Sequence, residues 1–179
     1  MNGDGYGDVI VSSSTGALGR ADVYHGSASG LSLAASWTVQ GTSTGSWFAF
    51  AVGTAGDVNG DGYADVILGE CYFLNGRVHV YFGSASGLPL VASWTAQSAV
   101  ANAQLGYSVG TAGDVNGDGY ADVIAGERGY GNGEPGEGAA VVYHGSASGP
   151  LLAASWTGES DQASAYLGWA VGTAGDVNG

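Results

Sequence analysis

Two stretches of the chain carry the same oxygen-bearing residues at the same spacing. Asp57, Asn59, Asp61, Tyr63 and Asp65 stand in "AGDVNGDGYADVI", and Asp114, Asn116, Asp118, Tyr120 and Asp122 stand in its copy. Oxygen donors at alternate positions of a short loop, with Gly62 or Gly119 allowing a sharp reversal, suit a hard cation that takes about six to eight oxygens. Calcium fits better than magnesium, which demands a stricter octahedron and keeps its waters. By analogy with known cation loops, the Asp and Asn side chains and the backbone carbonyls of Tyr63 and Tyr120 are the expected ligands. Without a cation, the three carboxylates of each loop repel one another. A plain Asn-Gly or Asp-Gly hairpin turn accounts for the glycines but not for Asp57 or Asp65. An EF-hand needs an acid where Leu68 and Ala125 stand, together with flanking helices. A third donor set is divided between the ends of the sequence, with Asp176 and Asn178 in "GTAGDVNG" and Asn2, Asp4, Tyr6 and Asp8 in "NGDGYGDVI". The two halves are expected to form one further loop.

These loops punctuate an internal repeat. Asp57 and Asp114 are 57 apart, as are Trp37 and Trp94 and also Tyr24 and Tyr81, and residues 52–67 are identical to 109–124. The next unit spans 62, with its extra five residues in "ERGYGNGEPGEG". The repeats run over about 1–56, 57–113 and 114–175 of a single segment covering 1–179. Four short strands per period are predicted. The first strands cover 48–56, 105–113 and 167–175, and the second cover 8–13, 64–70 and 121–127. The third cover 19–26, 76–83 and 138–145, and the fourth centre on "ASWT" at 35–38, 92–95 and 154–157. Each is bounded by Gly, Asn, Asp or Ser clusters, and no apolar stripe at helical spacing is present. The first strands are rich in small residues, as suits a crowded axis, and the later ones carry Val, Tyr, Phe and Trp. Four-stranded units at a fixed period predict an all-β propeller of antiparallel blades, in preference to a sandwich or a solenoid.

The segment resembles the FG-GAP repeat of integrin α-subunit-like β-propellers. The resemblance is carried by the Phe-Gly-like pairs Phe48-Ala49, Leu105-Gly106 and Leu167-Gly168, then "AGDVNGDGYADVI", then a Gly-led strand ending in "VYFGS" or "VYHGS". It implies a calcium-bearing propeller, usually extracellular, serving adhesion or ligand binding. Ala49 departs from the usual Gly, and three repeats stand where such propellers have about seven blades. Some fungal lectins are similar to this propeller type, so Trp37, Trp94 and Trp156 are either packing between blades or sugar-stacking platforms.

Three blade equivalents are too few to close a ring. Residues 166–176 are expected to act as a terminal strand that completes the incomplete first blade, of a partner chain or of their own. Two chains closing a six-bladed ring is the favoured assembly, with a trimer as the alternative. Near-identical repeats cut within a motif suggest an excised or designed segment.

With 3 basic residues against 16 acidic ones, the net charge of −13 disfavours nucleic acid and anionic membranes as partners and leaves a protein or glycan ligand. Disorder is disfavoured by 11% aromatic and 45% hydrophobic content. No apolar run predicts a membrane span and no leader predicts a signal peptide. No enzyme is expected. "GTSTG" around Ser43 and "GNGEPG" at 131–136 match catalytic and nucleotide motifs, but no helix is expected after either. His25 and His144 share a repeat position with Phe82, His79 aligns with Asp22 and Val141, and Cys71 reads as an inert thiol.

Overall fold

The computed structural model describes residues 1–14 and 18–178, and among these all regular structure is β. Eleven strands follow in chain order: β1 (Val9–Ser13), β2 (Arg20–Tyr24), β3 (Trp37–Gln40), β4 (Phe48–Gly56), β5 (Asp65–Glu70), β6 (Arg77–Tyr81), β7 (Trp94–Gln97), β8 (Leu105–Gly113), β9 (Asp122–Glu127), β10 (Ala139–Tyr143) and β11 (Trp156–Glu159). They form three antiparallel meanders, β1-β2-β3, β4-β5-β6-β7 and β8-β9-β10-β11. These are the blades expected from the period. In phase they begin at Phe48 and Leu105, so each turn with a complete donor set joins the first and second strands of one blade.

Apolar side chains are buried between the sheets. Val23 and Trp37 of the first sheet meet Phe48, Leu68 and Tyr81 of the second, and Val80 and Trp94 of the second meet Val123, Val141 and Tyr143 of the third. Each fully buried Val or Leu contributes about 1.5–3 kcal/mol relative to exposure, so face-to-face packing carries most of the fold's stability. β4 runs beside β8, so that a β-carbon on Gly53 would already be in van der Waals contact with the Val109 carbonyl oxygen at 3.5 Å. Both strands are bulged, with Ala49 at φ 57° and Gly106 at φ 85° in the irregular stretch.

Two expectations need correction. The fourth strands start at Trp37, Trp94 and Trp156, so only half of each "ASWT" belongs to one. The preceding serines bend the chain instead: Ser36, Ser93 and Ser155 donate their N–H to Val23, Val80 and Val142, and their hydroxyls accept from His25, Phe82 and His144. Residues 167–175 form no strand. The ladder partners of β4 and β8 are the next strands in sequence, β5 and β9, and among the described residues none follows 175. The segment still lies where a first strand would, with Leu167 bridging Gly138 as Leu105 bridges Gly76. Ser108 Oγ donates to the Gly168 carbonyl at 2.8 Å.

Candidate functional site: cation loops and the clefts between blades

In the loop between β4 and β5, the Asp57 carboxylate accepts from the N–H groups of Asp61 at 3.0 Å and Gly62 at 2.8 Å. Asp61 accepts from Tyr63 N–H and from the Asn59 amide, both at 2.9 Å. The loop between β8 and β9 repeats this, with Asp114 accepting from Asp118 at 3.1 Å and Gly119 at 2.8 Å, and Asp118 from Tyr120 at 3.0 Å and Asn116 at 2.8 Å. Asp65 and Asp122 are wholly buried and each ties three segments together. One oxygen accepts from Val58 at 2.9 Å or Val115 at 2.8 Å, and the other from Gly83 or Gly145, both at 2.8 Å.

Successive loops touch. A β-carbon on Gly60 would stand 2.7 Å from the Tyr120 ring, and one on Gly3 the same distance from the Tyr63 ring. The terminal halves flank this row. At one side Asn2, Asp4 and Tyr6 reproduce the half-loop pattern, with Tyr6 N–H on Asp4 at 3.0 Å and the Asn2 amide on Asp4 at 2.9 Å. Asp8 accepts from Gly26 N–H at 3.0 Å, but where Asp65 and Asp122 meet a valine N–H it has the Met1 ammonium at 3.8 Å. At the other side Asp176 lines a cavity with Gly113 and Asp114, and Asn178 N–H donates to it at 3.3 Å.

Electrostatics separate the carboxylates. Backbone N–H groups, that of Gly119 foremost, hold Asp114 below the usual carboxylate range, and the Tyr6 N–H does so for Asp4. Burial pushes Asp65 up to about 6, against the Val58 and Gly83 hydrogen bonds, and the charges of Asp61 and Asp57 add to the rise. Among the described residues no trio of acidic, imidazole or thiolate groups converges on one point. The donor types nevertheless fit a hard cation, because Asp57 and Asp61 stand close enough for their charges to act on Asp65, and positive charge among the three would offset that repulsion.

Cation–ring contacts mark the far side of the third blade. The Arg128 guanidinium carbon lies 5.1 Å, 4.6 Å and 4.4 Å from the ring centroids of Tyr107, Tyr166 and Trp169, and Nη1 donates to Gln104 at 3.2 Å.

The tryptophans are packing residues where a further blade follows. Trp37 and Trp94, each 7% exposed, stand edge-on to Tyr81 and Tyr143 of the next sheet at 5.2 Å and 5.1 Å, whereas Trp156 is 54% exposed. Ser43 and Ser46 lie in the turn between β3 and β4, with the Ser46 hydroxyl on the Ser43 carbonyl. In the 131–136 stretch, Asn132 N–H donates to the buried Glu137 carboxylate. Cys71 is buried, and burial pushes its thiol up to about 12, which makes it unreactive.

The sequence did not single out Glu70 and Glu127, which close β5 and β9 and line clefts between adjacent sheets. Burial would raise Glu70, but hydrogen bonds from His79, Ser46 and Arg77 outweigh it and hold the carboxyl low. Burial raises Glu127, opposed by the Ser98 hydroxyl. The signal was present as "ILGE" and "IAGE" at the repeat spacing.

The loops, the sheet phase and the interblade packing all recur with the sequence period, and comparison with known proteins follows the same units. The FG-GAP-like repeat matches residues 1–68 and 57–125. Integrin alpha-PS2 of Drosophila melanogaster is 30% identical over 140 residues, 70% of this chain and 10% of that protein. Integrin alpha-3 of Cricetulus griseus is 31% identical over 131 residues, 69% of this chain and 12% of that protein. Integrin alpha-6 of Homo sapiens is 35% identical over 81 residues, 45% of this chain and 7% of that protein. The chain thus spans about a tenth of the length of these relatives, and within that span its repeated blades place it in the FG-GAP-like repeat family.

Proposed function

We propose that the chain is a calcium-bearing propeller segment that acts by binding a partner in an extracellular setting, without catalysing a reaction. The observation that carries the proposal is the pair of loops folded alike around Asp57 and Asp114, in the first of which burial and the charges of Asp61 and Asp57 push Asp65 up to about 6. Calcium supplies the opposing charge and ties the first, second and third strands of a blade at one point. Its binding to the folded state alone raises stability by mass action. Thermal unfolding in millimolar calcium and in chelator tests this. The midpoint is expected to rise by several degrees in calcium, and the rise to vanish in the Asp57→Ala, Asp114→Ala double variant. An unchanged midpoint removes the metal from the account.

Self-assembly belongs to the same proposal. Val9 and Val11 of β1 are 40% and 51% exposed, while Val66 and Leu68 at the corresponding places of β5 are fully buried in a cluster with Ala21, Val23 and Trp37 of the preceding sheet. Among the described residues β1 pairs with β2, and no strand lies at its other edge. Residues 167–178 of a second copy supply a first strand for β1. A glycan-binding role retains only Trp156 as an accessible platform of the three repeated tryptophans.

A further inference from the structure

Six of the seven asparagines in the chain stand directly before a glycine: Asn2, Asn59, Asn75, Asn116, Asn132 and Asn178. Asparagine is chemically labile on heating, and a following glycine leaves its own main-chain nitrogen unshielded, with no β-carbon beside it. Loss of the side-chain amide requires two groups to meet, the Asn side-chain carbonyl carbon and the Gly main-chain nitrogen. The dipeptide is the same at every position, so any difference in reactivity comes from the fold.

Most of these pairs are held apart by hydrogen bonds. Asn59 donates its amide to Asp61 at 2.9 Å and accepts the Asp61 N–H at 3.2 Å, and Asn116 does the same with Asp118 at 2.8 Å and 3.0 Å. Asn2 repeats the pattern with Asp4 at 2.9 Å and 3.4 Å. The nitrogen after Asn116 is also engaged, because Gly117 N–H donates to Asp114 at 2.7 Å. Asn75 ties two segments, donating to the Ser98 carbonyl at 3.2 Å and accepting the Asn102 N–H at 3.3 Å, while Gly76 N–H donates to the Phe73 carbonyl at 2.8 Å. Asn178-Gly179 extends beyond the described residues.

Asn132-Gly133 lies in the five-residue insertion of the third repeat and is unlike the others. Both residues are exposed, and a β-carbon on Gly133 would meet nothing within 4 Å. Among the described residues no hydrogen bond holds the Asn132 side chain or the Gly133 N–H. Only the Asn132 main-chain N–H is engaged, on the Glu137 carboxylate. Glu137 in turn anchors the segment that precedes the tail, since its carbonyl accepts from Leu167 N–H at 3.0 Å and from the Ser160 hydroxyl at 2.8 Å.

We propose that Asn132 is a site of spontaneous covalent modification, a deamidation that loosens the Glu137 anchor as the protein ages. The Gly133 nitrogen attacks the Asn132 side-chain carbonyl carbon, a C–N bond forms, and the side-chain nitrogen leaves as ammonia with the proton from Gly133. Water then opens the cyclic imide. Cleavage on the side-chain carbonyl leaves aspartate, and cleavage on the main-chain carbonyl leaves isoaspartate; no oxidant or reductant takes part. Either product adds a carboxylate beside Glu134 and the buried Glu137, and isoaspartate also lengthens the main chain by a carbon next to that anchor. The inference is independent of calcium binding and of assembly.

The test is incubation of the folded, calcium-loaded chain at mildly alkaline pH, with peptide mapping by mass spectrometry to separate amide, aspartyl and isoaspartyl forms. The Asn132 peptide is expected to convert first, about tenfold faster than those of Asn59, Asn75 and Asn116, the factor set by breaking one or two ordinary hydrogen bonds before attack. In concentrated urea the rates should converge, because the dipeptides are then equivalent. Asn132→Gln is expected to remove the early conversion, and amide hydrogen exchange at Leu167 to quicken as Asn132 converts. Equal rates in the folded chain, another pair converting first, an order unchanged by urea, or unaltered Leu167 exchange in the converted chain would overturn the proposal.

Discussion

Asp65 sits at the junction of a loop and two strands, wholly buried, and burial pushes its carboxyl up to about 6 with Asp61 and Asp57 adding to the rise. A raised carboxyl favours the protonated folded state. In chelator its contribution is fully present below the ordinary carboxylate range and is lost as the pH rises through about 6. A bound cation requires the ionised form, so the proposed calcium affinity is expected to fall as the pH drops below about 6, by about tenfold per pH unit for a single competing proton. Carboxyl NMR of Asp65 with and without calcium, beside calcium titrations at several pH values, checks both. An affinity flat from pH 7 to pH 5 would mean that Asp65 holds no metal. Glu70 titrates in the opposite sense, since its hydrogen bonds to His79, Ser46 and Arg77 hold it low, and stability tied to it is lost only in acid.

At the scale of the strand, the bulge that opens β8 depends on a missing side chain. A β-carbon on Gly106 would lie 2.4 Å from the Arg77 carbonyl oxygen and 2.9 Å from Gly69 Cα, at a φ of 85° that side chains disfavour. Gly106→Ala is therefore expected to cost about 3 kcal/mol or more in urea unfolding, combining left-handed strain with backbone overlap. At the corresponding place in β4, Ala49 already has φ 57° and is buried. There Ala49→Gly should change stability by under about 1 kcal/mol, because relief of strain and loss of a buried methyl oppose each other. Equal effects of the two substitutions would contradict this difference. The period, the alternation of small and bulky strands and the donor spacing were all legible in the sequence, because each recurs and each needs only local chemistry. The start of the fourth strands was not, since it is set by serine hydroxyls that cap the end of the third strand from a distance. Nor was the Glu70–Arg77–His79 cluster, whose members come from two strands and occur together in only one of the repeats. The tail at 167–175 had the composition of a strand, but a strand needs a ladder partner, and composition does not provide one.

For the molecule as a whole, the unpaired edge of β1 and the unladdered tail are complementary, and the proposed exchange predicts a mass. Light scattering in calcium is expected to give about twice the 17.6 kDa chain, for a six-bladed ring, or three times it for the trimer. A mass near one chain would sink the exchange. Asp176→Ala should loosen the assembly more than Asp57→Ala, because only the former removes a donor from a loop shared between copies. Arg128 bears on how fast such an assembly forms. By gripping Tyr166 and Trp169 on the third blade, it fixes the start of the tail before any encounter. Docking then needs no search through coil conformations at that end, so association is limited by collision and orientation of two acidic surfaces. Added salt, by screening their repulsion, should make it faster.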